Sequence, residues 1–144
     1  MDKIDQNILT ILQQDASLTN AALAERVNLA PSSCLRRVQK LKQQGIIKKT
    51  VAVIDEKTLG RNLHAIVEID LARHGHQAYS AFQERVKHEI AVTKAFSISG
   101  ESDVILNISL KDMEEYQAFC DRVLNHDDNV LRFRTNFVMR VIKE

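Results

Sequence analysis

Three short segments in the first third of the chain carry apolar residues at helical spacing. This pattern predicts helices over residues 3–14, 19–27 and 32–44, each with one apolar face that packs on the others. Pro31 and Gly45 bound the third helix, since proline is favoured at the first helical position and glycine just after the last one. Two helices joined by a short turn, with the 32–44 segment as the second of them, indicate a helix-turn-helix.

A β-branched run at residues 46–54 follows the third helix and predicts a strand that would form half of a small wing. From residue 63 onward, apolar and polar residues alternate in four stretches, and two helical patterns lie among them. The expected order is β-α-β-β-α-β, a ferredoxin-like antiparallel sheet with both helices on one face. The predicted elements of this half are residues 63–71, 77–89, 92–99, 104–110, 113–124 and 132–142.

We therefore expect an α+β protein with an N-terminal winged helix-turn-helix domain at residues 1–54. A short, ordered linker follows at 55–62, and a βαββαβ domain occupies 63–144. Residues 1–60 hold nine lysines and arginines against six acidic residues, whereas the remainder holds eleven against thirteen. A basic module joined to a slightly acidic one is typical of a nucleic-acid-binding domain fused to a domain with another role.

The composition is that of an ordinary globular protein, with 44% apolar and 27% charged residues in a chain of 144. The N-terminus lacks the basic and then apolar pattern of a secretion signal, and no run of 18 apolar residues exists. Cys34 and Cys120 lie far apart on predicted apolar faces, which is typical of reduced, buried cysteines. We expect a cytoplasmic protein.

The sequence gives little support for a metal site, a cofactor or a catalytic function. His74 and His76 flank Gly75 in a loop, where histidines are usually solvent-exposed, so neither a metal nor another cofactor is expected. The Ser-His-Asp, HExxH and phosphate-loop motifs are all missing, and no catalytic residue is predicted. A small enzyme with a ferredoxin-like sheet, such as an acylphosphatase, is the less favoured alternative, because the loop after the first predicted strand of that sheet has no glycine-rich phosphate cradle.

Residues 32–53 contain six lysines and arginines and no acidic residue. The outer face of the third helix would carry hydroxyls at its start and cations along its length, which suits the major groove of DNA. Arg36 or Lys40 would reach base edges, and the later lysines would bind phosphates. One arginine of the pair Arg36 and Arg37 instead points inward or pairs with carboxylates of the first helix. The candidate DNA-binding residues are Thr19, Asn20, Pro31, Ser32, Ser33, Arg36, Arg37, Lys40, Lys42, Lys48 and Lys49.

Three motifs in this order carry a resemblance that covers essentially the whole chain. The first is D-x-x-D-x-x-I-L at the start, and the second is the segment LTNAALAERVNLAPSSCLRRVQKLKQQGIIKK. The third is a Ser-Gly-x-x-Asp turn formed by Ser99, Gly100 and Asp103. The chain resembles the Lrp/AsnC family, the leucine-responsive or feast/famine transcriptional regulators of bacteria and archaea.

The resemblance implies a winged helix-turn-helix joined to an amino-acid-sensing, ferredoxin-like (RAM/ACT-like) domain. Similar proteins form dimers through both halves, four dimers commonly close into an octamer, and effectors bind between dimers beside the Gly-Asp turn. Backbone N–H groups of the turn would hold an α-carboxylate and Asp103 an α-ammonium, with the last strand of a neighbouring subunit alongside. The candidate effector-binding residues are Ser99, Gly100, Glu101, Ser102, Asp103, Asn136, Phe137 and Val138.

The expected function is sequence-specific transcriptional regulation in which a small effector, an amino acid, changes activity or assembly. The expected partners are double-stranded DNA with a roughly palindromic operator, copies of the chain as dimer and octamer, and the effector, but no membrane. The alternative is an architectural DNA-binding protein that works without an effector.

Overall fold

The computed structural model of the chain describes residues 1–72 and 75–143, and it divides into two compact units, Met1–Val53 and Ile54–Glu144. The helices and strands, in chain order, are α1 (Lys3–Gln14), α2 (Asn20–Arg26), α3 (Pro31–Gln43), β1 (Leu63–Leu71), α4 (His76–His88), β2 (Val92–Ser97), β3 (Val104–Leu110), α5 (Met113–Phe119), a π-helix (Cys120–Asn125) and β4 (Val130–Phe137).

The first unit is a three-helix bundle whose helix ends follow the predicted signals. Asp2 and Asp5 form a capping box at the start of α1, and the Thr19 hydroxyl accepts a hydrogen bond from the Ala22 N–H at the start of α2. Asn28 ends the second helix with φ +53°, and Gly45 follows the third with φ +71°. The core of this unit consists of Ile8, Leu23, Ala24, Val27, Cys34 and Leu41.

The predicted strand at residues 46–54 is wrong for the single chain, because this segment adopts no strand. A strand needs a neighbouring strand for its N–H and C=O groups, and the four strands of the described chain pair only with one another. The side chains of Val51, Val53 and Ile54 are therefore left exposed.

The second unit contains a four-stranded antiparallel sheet in the order β2-β3-β1-β4, with the predicted βαββαβ connectivity. Both neighbours of β1 run antiparallel to it, with Val67 opposite Leu106 on β3 and Thr135 on β4. Alternate β1 residues face the helices and are buried, as the alternating sequence pattern predicts. The core lies between this face and the helices and includes Val67, Ile69, Phe82, Leu106, Leu110 and Phe119.

The predicted linker at residues 55–62 belongs to the second unit. Asp55 caps a turn by accepting hydrogen bonds from the Lys57 N–H and the Thr58 hydroxyl. The Glu56 carboxylate accepts a hydrogen bond from the buried Ser109 hydroxyl of β3. The segment is thus packed on the sheet, which its polar composition alone did not reveal.

Some of the predicted strands and helices end at other residues in the structure. The last strand stops at Phe137, opposite Ala65, because β1 has almost no residues left to pair with a longer β4. The last predicted helix changes to a π-helix at Cys120. The turn predicted at 73–75 lies mostly outside the described residues. Among the residues described, no helix is long and apolar enough to cross a membrane.

Candidate nucleic-acid interface and effector turn

The start of α3 is held on α2 by a side-chain hydrogen bond. Asn20 Nδ2 donates to the backbone carbonyl oxygen of Pro31 at 2.8 Å. The left-handed conformation of Asn28 reverses the chain between the two helices, and Pro31 occupies the first turn of α3. Asn20 therefore positions the second helix of a helix-turn-helix and is a structural residue of this motif.

The outer face of α3 carries polar side chains on successive turns. Ser32, Arg36 and Lys40 are exposed and lie four residues apart, on the side of the helix away from buried Cys34 and Leu41. No acidic residue lies in the first turn of the helix. This face therefore presents hydroxyl, guanidinium and ammonium donors to solvent.

Two further exposed residues on this side of α3 were missed from the sequence. Leu35 is 45% exposed, and Gln39 is also exposed. Both lie one helical turn or less from Arg36, and that spacing is the signal that could have found them. A glutamine amide can pair with adenine, and an apolar side chain can contact the thymine methyl group.

Arg37 is the arginine of the adjacent pair that binds the first helix. Its Nη1 atom lies 2.8 Å from Asp2 Oδ2 and 2.8 Å from Asp5 Oδ1. Hydrogen bonds to Asp5 and Asp2 raise the pKa of the Arg37 guanidinium above its ordinary value. Arg37 thus joins α3 to α1, and Arg36 is the arginine that faces solvent.

The other predicted DNA-binding residues divide into two groups. The Thr19 hydroxyl is used as the cap of α2, and Ser33 is half-buried. Exposed positions are occupied by Pro31 at the start of α3 and by the three lysines Lys42, Lys48 and Lys49.

The turn between β2 and β3 is held by hydrogen bonds to both the backbone and the side chain of Asp103. Its backbone carbonyl oxygen accepts from the Ile98 N–H, and its Oδ2 atom accepts from the Leu71 N–H at 2.7 Å. Asp103 thus ties the turn to the end of β1, and its contact with an α-ammonium stays a prediction. Gly100 is exposed, its φ is not positive, and a Cβ atom there would meet only open space.

A polar cavity of about 360 Å³ opens beside this turn on the face of the sheet opposite the helices. Asp70 is bound by Arg132 and by the buried Ser102, and these hydrogen bonds hold the pKa of its carboxyl below the usual range. The cavity is lined by Glu68, Asp70, Glu101, Ser102, Arg132, Phe133 and Arg134.

Sequence reasoning missed five of these lining residues, namely Phe133 and the four charged side chains of β1 and β4. Glu68 pairs with Arg134 at 3.2 Å, and Asp70 pairs with Arg132. Alternating acids on the first strand and alternating arginines on the last were visible in the sequence. Only the antiparallel pairing of the two strands, with the register given by the fold, brings them together.

The three predicted effector residues at the end of β4 lie away from the turn. Asn136 is opposite Ile66 and binds Glu68, whereas Phe137 points to the helix face and makes an edge contact with Tyr116. The Val138 N–H donates to the His64 carbonyl. The turn lies at the other end of β1, roughly 13 Å along the strand at about 3.3 Å per residue, so one chain does not place both groups in a single cavity.

Two family models together match nearly the whole chain. The model described as winged helix-turn-helix DNA-binding matches residues 1–48, and the model described as Lrp/AsnC ligand binding domain matches residues 64–144. The two matches fall on the first unit and on the sheet unit, respectively.

Individual relatives agree with these models. An uncharacterized HTH-type transcriptional regulator of Haemophilus influenzae is 38% identical over 99% of this chain and 85% of its own length. The leucine-responsive regulatory protein of Rhizobium meliloti is 35% identical over 100% of this chain and 92% of its own. The crystal structure of a transcriptional regulator from Neisseria meningitidis in complex with L-Met is 32% identical, with a TM-score of 0.94, covering 100% of this chain and 93% of the other. These relatives are named as regulators, not enzymes.

Proposed function

Because the chain belongs to the Lrp/AsnC family of helix-turn-helix transcriptional regulators, we propose that it acts as a dimer that binds a roughly palindromic operator and responds to an amino acid. Two copies of α3 enter successive major grooves about 34 Å apart. Four dimers close into an octamer, and the protein works in the cytoplasm, where bacterial and archaeal chromosomal DNA lies.

The observation that carries the DNA-binding role of α3 is the solvent-facing row of Ser32, Arg36 and Lys40. Arg36 is the base-reading candidate, since its guanidinium is exposed and its planar fork matches the two acceptors of guanine. Leu35 and Gln39 extend the same face toward neighbouring bases. Lys42 and Lys48 add phosphate contacts that strengthen binding to any sequence.

The amino-acid response is supported by the turn at 98–103 and by the relative from Neisseria meningitidis that was solved with L-Met. The open space above Gly100 leaves the backbone of the turn accessible to a small ligand. Glu101, which is exposed at the rim of the polar cavity, is a candidate for the α-ammonium group. The end of β4 from a neighbouring subunit would complete the site, because one chain keeps Asn136 away from the turn.

The DNA role is tested by selecting binding sites from a random DNA library and then measuring affinity by fluorescence anisotropy at several salt concentrations. We expect a palindromic consensus with half-sites about one helical turn apart. We also expect log K to fall with log salt at a slope of about −0.9 per phosphate contact. Selection of sequences without two-fold symmetry would contradict the dimeric reader.

The amino-acid role is tested by thermal shift of the full chain against the twenty amino acids. A ligand at a hundred times its Kd adds about 2.7 kcal/mol of apparent stability. Gly100→Ala is the informative variant, because its methyl group meets nothing in the chain and should leave unliganded stability unchanged while weakening the ligand response.

Gly75→Ala is a suitable control for Gly100→Ala, since Gly75 is also exposed and a Cβ there also meets open space, but it lies outside this turn. No stabilisation by any amino acid would favour the architectural, effector-independent alternative. An equal ligand response in wild type and Gly100→Ala would move the site away from this turn.

A further inference from the structure

Leu35 is an exposed apolar residue on the largely polar outer face of α3. It is 45% exposed, whereas Cys34 and Leu41 of the same helix are buried. Among the described residues of the first unit, the apolar side chains that form the core or pack on it do not include Leu35. Arginine, lysine and glutamine form helices about as readily as leucine. Neither the packing of the core nor the formation of α3 therefore explains an apolar side chain at this position.

The exposure of Leu35 is fixed by contacts on other sides of α3. Arg37 anchors the helix to α1 through two carboxylates. Leu35 precedes Arg37 by two residues and so lies roughly 200° around the helix axis from this anchor. The hydrogen bond from Asn20 Nδ2 to the Pro31 carbonyl oxygen holds the start of the helix. Burial of Leu35 by rotation of α3 would therefore break both contacts.

We propose that Leu35 is a specificity-determining residue that selects a thymine in each operator half-site by contact with the thymine C5-methyl group. The inference rests on the DNA-binding role of α3 in the proposed function and adds a base preference that this role does not require. In the major groove thymine presents a methyl group that cytosine lacks, and an apolar side chain can contact it. Such a contact is favourable because both apolar surfaces leave water.

The selected thymine should lie close to the base that Arg36 reads. Leu35 and Arg36 are adjacent in α3, so their positions differ by about 1.5 Å along the helix axis. A helix with its side chains is about 10–12 Å across and fills a major groove about 12 Å wide, so neighbouring exposed residues can both reach base edges. Since bases are about 3.4 Å apart along each strand, we expect the thymine within about two base pairs of the guanine contacted by Arg36.

Gln39 is a separate reader of the same half-site, one helical turn beyond Leu35. It is exposed, and a glutamine amide pairs with adenine. Four residues of helix correspond to about 6 Å, or nearly two steps between base pairs. The base contacted by Gln39 is therefore displaced from the thymine contacted by Leu35, and the two preferences can be measured separately.

Uracil in place of thymine removes only the C5-methyl group and so tests the contact directly. An operator selected by the wild-type chain is synthesised again with 2′-deoxyuridine at each thymine in turn, in both half-sites. Burial of one methyl group corresponds to about a fourfold change in Kd, and to about a 15-fold change when both half-sites are altered. Fluorescence anisotropy should show this loss for the wild type at one thymine per half-site, whereas Leu35→Ala should bind the thymine and uracil operators equally.

A second variant changes the base preference instead of removing it. Leu35→Gln places an amide at the exposed position, and α3 should still form because the helix propensities of glutamine and leucine are similar. Selection from a random DNA library should then replace this thymine by adenine, since a glutamine amide pairs with the N6 and N7 atoms of adenine. The guanine assigned to Arg36 should be retained if the helix still docks in the same orientation.

Leu59→Ala is the matched control for Leu35→Ala. Leu59 belongs to the second unit and is 63% exposed, so the same chemical change is made away from α3. This variant should keep both the operator affinity and the sensitivity to uracil. The urea midpoints of all three variants should match that of the wild type, because each substitution is at an exposed position.

A uracil effect at one thymine that disappears in Leu35→Ala, together with a changed base in Leu35→Gln, supports the proposal. The proposal is overturned if Leu35→Ala keeps the full uracil effect, if Leu35→Gln still selects thymine, or if no thymine methyl group affects binding of the wild type. In each of these cases, a guanine preference of the wild type leaves the proposed function intact. Failure of the wild-type chain to select any DNA sequence would overturn the proposed function itself, and this inference with it.

Discussion

The two units of the chain differ in whether their positively charged side chains are paired with acidic residues. On α3, Arg36 and Lys40 face solvent, and no residue within the described part of the chain forms an ion pair with either. On the sheet, Arg132 and Arg134 are each bound to an acid of the neighbouring strand. The first surface thus presents unpaired positive charge that suits an external polyanion, whereas the charges of the second are neutralised within the chain.

The units also have separate cores, and a matched pair of truncations should show how independent these are. Leu41→Ala and Leu106→Ala each truncate a buried leucine, one in each unit, and each should cost about 2–5 kcal/mol. Native-state hydrogen exchange should show lost protection in α1–α3 for the first variant and in the sheet for the second. Equal loss in both units for either variant would mean that they unfold as one.

Substitution of Asp103 tests whether a hydrogen bond within the chain holds the effector turn in place. Asp103→Ala removes the acceptor of the Leu71 N–H, and hydrogen bonds to charged groups contribute about 1.5–3 kcal/mol. The denaturation midpoint should fall accordingly, while Glu101→Ala, at an exposed position of the same turn, should change stability by less than about 0.5 kcal/mol. An unchanged stability of Asp103→Ala would show that its hydrogen bond to Leu71 does not hold the turn.

The contrast between free and paired arginines is tested by the same substitution on both surfaces. Arg36→Ala should lower operator affinity by about 1–3 kcal/mol and relax specificity at one base position, with folding stability unchanged. Arg132→Ala should leave DNA affinity unchanged and cost less than about 1 kcal/mol of stability, because Arg132 is 76% exposed. Anisotropy and urea unfolding measure the two effects. A loss of affinity that is uniform across sequences would make Arg36 a phosphate contact.

The smallest expected effect concerns pH and the contact between α1 and α3. Hydrogen bonds from the Asp5 N–H and from Arg37 hold the pKa of the Asp2 carboxyl below its ordinary value of 3.8. A carboxyl with a lowered folded pKa stabilises the folded state above its unfolded pKa, and this contribution is lost as pH falls through the folded value.

Stability measured by urea unfolding should therefore decline from about pH 3.8 downward, and less steeply in Arg37→Ala than in wild type. Arg36→Ala, its exposed neighbour on the same helix, should follow the wild-type curve. Identical pH dependence in all three proteins would show that Arg37 does not hold Asp2 in solution.

The amino-acid sequence by itself determined the fold class, the helix-turn-helix and the βαββαβ order. These follow from local signals, such as the cap at Thr19, proline before α3, Gly45 after it and strict alternation over 63–71. Each of these signals involves residues only a few positions apart, so it can be interpreted without knowing which distant residues come into contact.

Tertiary structure decided the questions that depend on pairing over long sequence distances. It assigned Arg37 to α1, tied Asp103 to Leu71, packed Glu56 on Ser109 and joined the charges of β1 and β4 across more than 60 residues. The predicted strand at 46–54 also has no neighbouring strand. A strand-like sequence pattern does not identify the second strand with which a segment must form hydrogen bonds.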